Sequence, residues 1–137
     1  MIDIKFTEDN FIKKKSNLDE INNELYQNIC NLIHDNWSEI KITKIYEVDK
    51  RNNILDANSQ NFCLIDKYKK MYLLKKIKKP NDERKLEKQF KIQDWCSTRL
   101  KIVPKILKNR EQKITLHKNF FIWILMEYVP GEFFSGD

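Results

Sequence analysis

The sequence predicts an α+β domain: a five-stranded antiparallel sheet with one helix packed across it, preceded by an N-terminal amphipathic helix. Three observations lead to this class. Apolar residues recur at helical spacing near the N-terminus, alternate from Ile40 onwards, and fill an unbroken run from Phe120 to Met126. A strand covered on both faces loses its polar alternation, so that run predicts the most buried strand of the sheet.

Composition and charge limit the class of protein. With 137 residues, of which 41% are apolar, the chain is long enough for one domain with a core. Its net charge of +6 comes from lysines interleaved with acids, as in DERKLEKQFK, which indicates a solvated surface rather than a nucleic-acid site. The three cysteines are widely spaced, and no apolar run approaches the roughly 18 residues of a membrane span. We therefore expect a cytoplasmic protein without a membrane partner.

Two helices are predicted, and residues 1–15 form a segment before the first of them. The first helix covers residues 16–37, where Ser16 or Asn17 would cap it. The second covers residues 82–100 and opens after a proline, where an aspartate can cap the first turn. Both helices carry enough apolar residues on one side to pack against a sheet.

The strands follow from alternating or continuous apolar residues between turn signals. They are predicted at residues 40–48, 61–66, 71–77, 102–107 and 114–129. The turns between them are rich in Asn, Lys and Asp, as in KYKK (Lys67–Lys70) and KNREQK (Lys108–Lys113). Since consecutive strands joined by short turns pair antiparallel, the sheet is expected to be antiparallel.

Several motifs in this order resemble the protein-kinase-like fold. MEYVPGEFF (Met126–Phe134) is similar to the hinge of that fold, and MYLLKK (Met71–Lys76) and a glutamate-bearing helix precede it. The N-terminal helix, the glycine-free first turn and the Val-Pro pair before the fourth strand are more similar to the aminoglycoside phosphotransferase and choline kinase branch. The resemblance implies that residues 16–129 form an N-terminal lobe. Residues 130–137 would be the hinge and the start of a C-terminal lobe missing from the sequence.

The resemblance implies a nucleotide-binding lysine and a glutamate partner. In kinase-like folds a lysine on the third strand holds the α- and β-phosphates, and a glutamate on the next helix orients it. Lys75 matches the strand position, whereas its neighbour Lys76 should point to the other face of the sheet. Glu87 is the expected partner, and Glu83, one turn earlier, is the alternative.

The hinge and the first turn supply the other implied nucleotide contacts. Met126 would lie at the back of an adenine slot, and the main chain of Glu127 and Val129 would meet the adenine edge. Glu132 would reach the ribose. The polar turn NSQN is similar to the phosphate loop of the aminoglycoside branch, which implies that Ser59 and Asn61 donate hydrogen bonds to phosphate oxygens.

The function that follows is the ATP-binding N-terminal lobe, as a fragment, of a small-molecule phosphotransferase. ATP with Mg²⁺ is the expected cofactor, and a small-molecule hydroxyl compound would be bound by the missing lobe. The sequence has no HxD or DFG-like motif, so it offers no catalytic residue and no metal ligand, and catalysis by the chain alone stays open. The phosphate acceptor and the oligomeric state are also open, as is the choice between a fragment and a natural single lobe.

Two other classes of function compete with this one. A non-catalytic kinase-like interaction module would also lack the catalytic motifs and the first-turn glycines. A weaker alternative is a basic nucleic-acid-binding domain, which the net charge and the lysine-rich stretch KKMYLLKKIKK (Lys69–Lys79) favour.

Overall fold

The computed structural model describes residues 18–48, 59–79, 83–100 and 103–128. Within these ranges the chain forms seven strands and two helices. In chain order they are β1 (Leu18–Glu20), α1 (Asn23–Asn36), β2 (Ile42–Val48), β3 (Ser59–Asp66), β4 (Met71–Lys78), α2 (Glu83–Ser97), β5 (Ile106–Leu107), β6 (Leu116–Lys118) and β7 (Phe121–Glu127). The strands form one antiparallel sheet, which confirms the predicted α+β class.

The last described strand lies in the middle of the sheet. The order is β1-β2-β3-β4-β7-β5, with β6 also paired to β7. Strand β7 is therefore inserted between β4 and β5, and its five central residues, Ile122 to Met126, are all buried. This position explains the unbroken apolar run, because a central strand covered on both faces has no side chain directed to water.

The two helices cover opposite faces of the sheet. On one face Ile29 and Ile33 of α1 pack with Leu74 of β4 and Leu125 of β7. On the other face Phe90 of α2 packs with residues of β7 that alternate with Leu125, so both faces of the sheet are buried in an apolar layer. The helix expected to lie across the sheet is confirmed, and the N-terminal helix provides the second cover.

Helix α1 starts later than its apolar pattern predicted. The expected helix covered residues 16–37, but the observed one is Asn23–Asn36, and Leu18–Glu20 pair with β2 as an edge strand. The cap is Asn22, whose Oδ1 accepts a hydrogen bond of 2.8 Å from the backbone N–H of Leu25. The prediction extended the helix too far upstream of this cap. Over so few residues, the spacing of apolar side chains does not distinguish a helical turn from a short strand.

The predicted strand 114–129 is in fact a hairpin of β6 and β7. The turn between them is formed by Asn119 and Phe120, whose φ angles are 55° and 67°. Two consecutive residues at positive φ are typical of a two-residue hairpin turn, and Phe120 is 87% exposed there. The other predicted strand, 102–107, is reduced to Ile106–Leu107. The apolar run concealed the turn because a phenylalanine rarely adopts positive φ.

A buried carboxylate fixes the predicted turn between β3 and β4. Asp66 Oδ1 accepts hydrogen bonds from the N–H groups of Tyr68 and Lys70 at 2.8 and 2.9 Å. Its Oδ2 accepts one from the Tyr72 hydroxyl at 3.2 Å. Burial, and then the nearby Asp66 charge, raises the pKa of Tyr72 to about 12. The turn and the first residues of β4 are thus held by one side chain.

Replacing Phe120 with glycine should stabilise the protein. Glycine has no Cβ and adopts positive φ without a steric penalty, and an exposed phenylalanine gives up little packing. We expect Phe120→Gly to raise the free energy of unfolding by about 1 kcal/mol in urea denaturation. Asn119→Gly is the matched control and should gain less, because asparagine tolerates this conformation. A loss of stability in Phe120→Gly would contradict the turn geometry.

Stability should fall in strong base through Tyr72. Above its ordinary pKa of 10.0 the unfolded chain loses the Tyr72 proton, whereas the folded chain keeps it up to about 12. The free energy of unfolding should therefore fall as pH rises between these values, by on the order of 2 kcal/mol for this group. Urea denaturation at stepped pH should show a flatter dependence in Tyr72→Phe, with exposed Tyr68→Phe as control. Equal slopes in Tyr72→Phe and the parent protein would exclude this contribution.

Candidate functional site

The site is built on the face of the sheet that α2 covers. Side chains of β4 alternate between the two faces of the sheet, and the pairing of β4 with β7 shows on which face each side chain lies. Leu73 lies opposite Met126 and Lys75 opposite Ile124, and both partners on β7 belong to the apolar layer beneath α2. Lys75 therefore lies on the α2 side of the sheet.

The neighbouring lysine lies on the opposite face, as expected. The Nζ atom of Lys76 is 4.2 Å from the ring centroid of Phe121 and 5.2 Å from that of Trp123. These are cation–π distances, and Trp123 belongs to the layer packed against α1. Lys76 thus lies against two aromatic rings on the α1 side, Lys75 lies on the α2 side, and both lysines are half-buried.

An apolar floor adjoins Lys75 on this face. Across the strands, Cys63 lies opposite Leu73, and Ile65 lies opposite Met71. Cys63, Ile65 and Met71 form a buried cluster against which two half-buried rings, Tyr46 and Tyr128, pack. Burial, and then the nearby Cys63, raises the pKa of Tyr128 to about 12. The members of the floor are neighbours in register on one face of the sheet.

The floor ends at a polar row. Asn61 of β3 lies directly opposite Lys75, two residues beyond the Cys63–Leu73 pair, or about 7 Å along the strands. The Oδ1 atom of Asn61 is buried and has no hydrogen-bond partner among the residues that the structure describes. Leaving a buried acceptor without a hydrogen bond costs about 1–3 kcal/mol of stability. Such acceptors are rare in folded proteins, and a functional site is one explanation for them. An apolar surface next to an ammonium group and an amide suits a ligand with a flat ring and an anionic group.

The predicted helix partner lies close to a histidine that the sequence reasoning did not assign. Glu87 Oε1 is 3.5 Å from Nε2 of His117 on β6, and that nitrogen is also 3.5 Å from Thr115 Oγ1. Glu83, the alternative, is the half-buried first residue of α2. His117 lacked a signal because its approach to α2 depends on the hairpin, where it pairs with Ile122.

The end of β7 is held at both of its edges. The N–H of Glu127 donates to the carbonyl of Lys105 at 2.9 Å, and the N–H of Tyr128 donates to the carbonyl of Met71 at 3.1 Å. The Glu127 carboxylate lies 3.2 Å from Lys70 Nζ. The strand that carries the predicted hinge is therefore anchored on β4 and next to β5 up to residue 128.

Met126 is buried on the α2 side of this strand. Its sulfur is 3.7 Å from Nε2 of Gln93, which also donates to the carbonyl of Pro104 at 3.1 Å. This amide links α2 to the segment before β5 and fixes the back wall of the apolar floor. Gln93 was not assigned from the sequence because a glutamine within a polar helix carries no distinctive pattern.

Some predicted site residues lie outside the described residues. These are Val129 and Glu132 of the hinge, and most of the first turn, residues 49–58. For Ser59 the structure describes the backbone, which pairs with Ile77, but not the side chain. Their predicted roles stay predictions.

Neither a metal site nor a membrane span is found in the described residues. In those residues there is no group of three or more His, Cys, Asp or Glu side chains arranged to hold a metal ion. No helix among them is long and apolar enough to cross a membrane.

Comparisons with known proteins support a fold and no more. No family model matches the sequence, and no curated protein matches it. Among solved structures, the chain is similar to the spectinomycin phosphotransferase APH(9)-Ia, crystallised with ADP and spectinomycin, with a TM-score of 0.59 and 17% sequence identity. The chain has a kinase-like fold. The match covers 75% of this chain and 29% of the phosphotransferase, and the α+β structure is consistent with the N-terminal lobe expected from the sequence.

The opposite faces assigned to the two lysines can be tested by NMR. Ring currents of Phe121 and Trp123 should move the side-chain protons of Lys76 upfield, and Phe121→Leu should reduce that shift. Lysine side-chain correlations measured in ¹H–¹³C spectra provide the readout, with the exposed Lys113 as reference. A ring-current shift at Lys75 in place of Lys76 would reverse the faces and refute the register.

Proposed function

We propose that this chain is the nucleotide-binding lobe of a small-molecule phosphotransferase. The observation that carries the proposal is the apolar floor that ends at the Asn61–Lys75 row on the face covered by α2. The purine ring of ATP would lie on the apolar floor, with Met126 behind it. The Lys75 ammonium and the side-chain N–H of Asn61 would then face the phosphates, and the unpaired Oδ1 of Asn61 would accept a hydrogen bond from a hydroxyl group of the ligand.

The residues fit a nucleotide for a physical reason. Adenine is flat and largely apolar, so it gains free energy on a dehydrated surface, whereas phosphate requires cationic and N–H donors. The compact ammonium of lysine binds phosphate oxygens as a point charge, and its long stem can reach them from the sheet. The Glu87 carboxylate on α2 would orient this ammonium, and in the free protein its contact with His117 competes for it.

Transfer of phosphate requires groups that lie beyond these residues. ATP supplies its own Mg²⁺-binding phosphate oxygens. In this proposal a second lobe would supply the further metal ligands and the base for the acceptor hydroxyl. The ADP and spectinomycin bound by the similar structure support a nucleotide and a small hydroxyl compound as ligands of the whole protein. Residues Glu127, Val129 and Glu132 keep their proposed hinge roles, and Ser59 its phosphate role.

Nucleotide binding by this chain tests the proposal directly. Titration with ADP and with Mg²⁺–ATP, followed in ¹H–¹⁵N spectra, should shift the amide signals of Asn61, Leu73, Lys75 and Met126. Lys75→Met should weaken binding by about tenfold to a hundredfold, because a charge-assisted hydrogen bond to phosphate contributes about 1.5–3 kcal/mol.

Lys78→Met is the matched control, since Lys78 is exposed on the same strand. Melting curves of both variants establish that they are folded. An absence of binding, or equal weakening in the two variants, would exclude the proposed site. If light scattering then showed stable self-association, the non-catalytic interaction module would become the better explanation.

A further inference from the structure

The outward face of α2 has a composition unlike the rest of the helix. Its exposed residues are Arg84, Lys85, Lys88, Gln89, Lys91, Ile92 and Trp95. The charged members of this set are all basic, whereas the acidic residues of the helix, Glu83, Glu87 and Asp94, are half-buried. The helix thus presents positive charge to solvent, and its two large apolar residues lie within that positive surface.

The exposed residues that follow one another at helical spacing on this face, together with Arg99 just beyond the end of α2, form what we term the outward stripe: Arg84, Lys88, Lys91, Ile92, Trp95 and Arg99. Trp95 is 58% exposed, and Ile92 is exposed to a similar extent. The guanidinium of Arg99 lies 3.8 Å from the Trp95 ring centroid, and its Nη1 is 3.4 Å from the Trp95 carbonyl oxygen. The indole is therefore held in position at the surface, and Leu100, five residues further along the chain, is another exposed apolar residue.

We propose that the outward stripe of α2 docks on an anionic phospholipid surface. Clusters of four to eight basic residues on a helix are attracted to anionic headgroups, at about 1 kcal/mol for each residue near the surface. Tryptophan prefers the boundary between headgroups and acyl chains, and Ile92 would enter the apolar side of that boundary. Docking of one face requires no spanning segment, so it is compatible with the absence of a spanning helix among the described residues.

The geometry favours lipid over the two other anionic partners. A nucleic acid would use the basic residues of the stripe, but the exposed aliphatic Ile92 and Leu100 add nothing to phosphate recognition or to base stacking. An acidic protein would need a groove that matches a convex helix. A lipid surface adapts to protruding side chains, so it meets both the charge and the shape of the stripe.

Trp95 is a natural reporter for this interaction. The other two tryptophans, Trp37 and Trp123, are buried at 5% and 7% exposure, so changes on docking should come from Trp95. Vesicles of phosphatidylcholine with phosphatidylserine should shift its emission to the blue and protect it from acrylamide, and vesicles of phosphatidylcholine alone should not. High salt should reverse the effect, since the attraction is electrostatic.

A pair of charge-matched variants separates local from general charge effects. Lys88→Glu with Lys91→Glu should weaken vesicle binding at least about tenfold. The control is Lys67→Glu with Lys69→Glu, which changes the net charge equally at another exposed aromatic, where Lys67 Nζ lies 4.9 Å from the Tyr68 ring. This control should retain most of the binding, and Trp95→Ala should lose the fluorescence change and bind more weakly in sedimentation.

Three results would overturn the proposal. The first is an absence of binding to phosphatidylserine vesicles, and the second is equal weakening in the two charge-matched variants. The third is tighter binding of a thymidine oligonucleotide or of poly-glutamate than of the vesicles, which would assign the stripe to another partner. The proposal does not depend on nucleotide binding, because α2 contacts the candidate nucleotide site through its opposite face.

Discussion

The antiparallel register between β4 and β7 is the constraint on which the remaining structure depends. It sets Leu73 opposite Met126 and Lys75 opposite Ile124. A slip of one residue would exchange the two faces, so that Lys76 would lie beneath α2 and Lys75 against the aromatic rings. Burial of β7 on both faces prevents such a slip. A shift by one residue in either direction would place a lysine of β4 in an apolar layer that has no site for its charge.

The two layers that this register separates differ in chemistry. The α1 side is a continuous apolar and aromatic layer, and on β4 the ammonium of Lys76 lies over two aromatic rings of that layer. The α2 side keeps an amide and an ammonium group next to an apolar floor, and within the described ranges the side-chain oxygen of Asn61 has no hydrogen-bond partner. A buried acceptor without a partner costs stability, so the retention of Asn61 on this face indicates a place where a donor group of a ligand supplies the missing hydrogen bond.

The structural similarity to a phosphotransferase supports the fold of this chain but does not establish its function. The chain spans less than a third of that protein, and a fold shared at low identity can carry many functions. The case for a nucleotide therefore rests on the rows of residues in this sheet. The Glu87–His117 contact adds a point that the resemblance did not imply, since the hairpin offers the helix carboxylate a second partner.

The sequence by itself determined the class of the fold, most of its elements and the separation of Lys75 from Lys76, because periodicity and strand alternation are local properties of the chain. It did not determine where α1 begins, that a turn interrupts the segment 114–129, or that His117 reaches Glu87. Those features depend on pairing between distant segments: β1 with β2, and β6 with β7. The exposure of Trp95 has the same origin, since an aromatic residue on a helix faces core or solvent according to which side the sheet occupies.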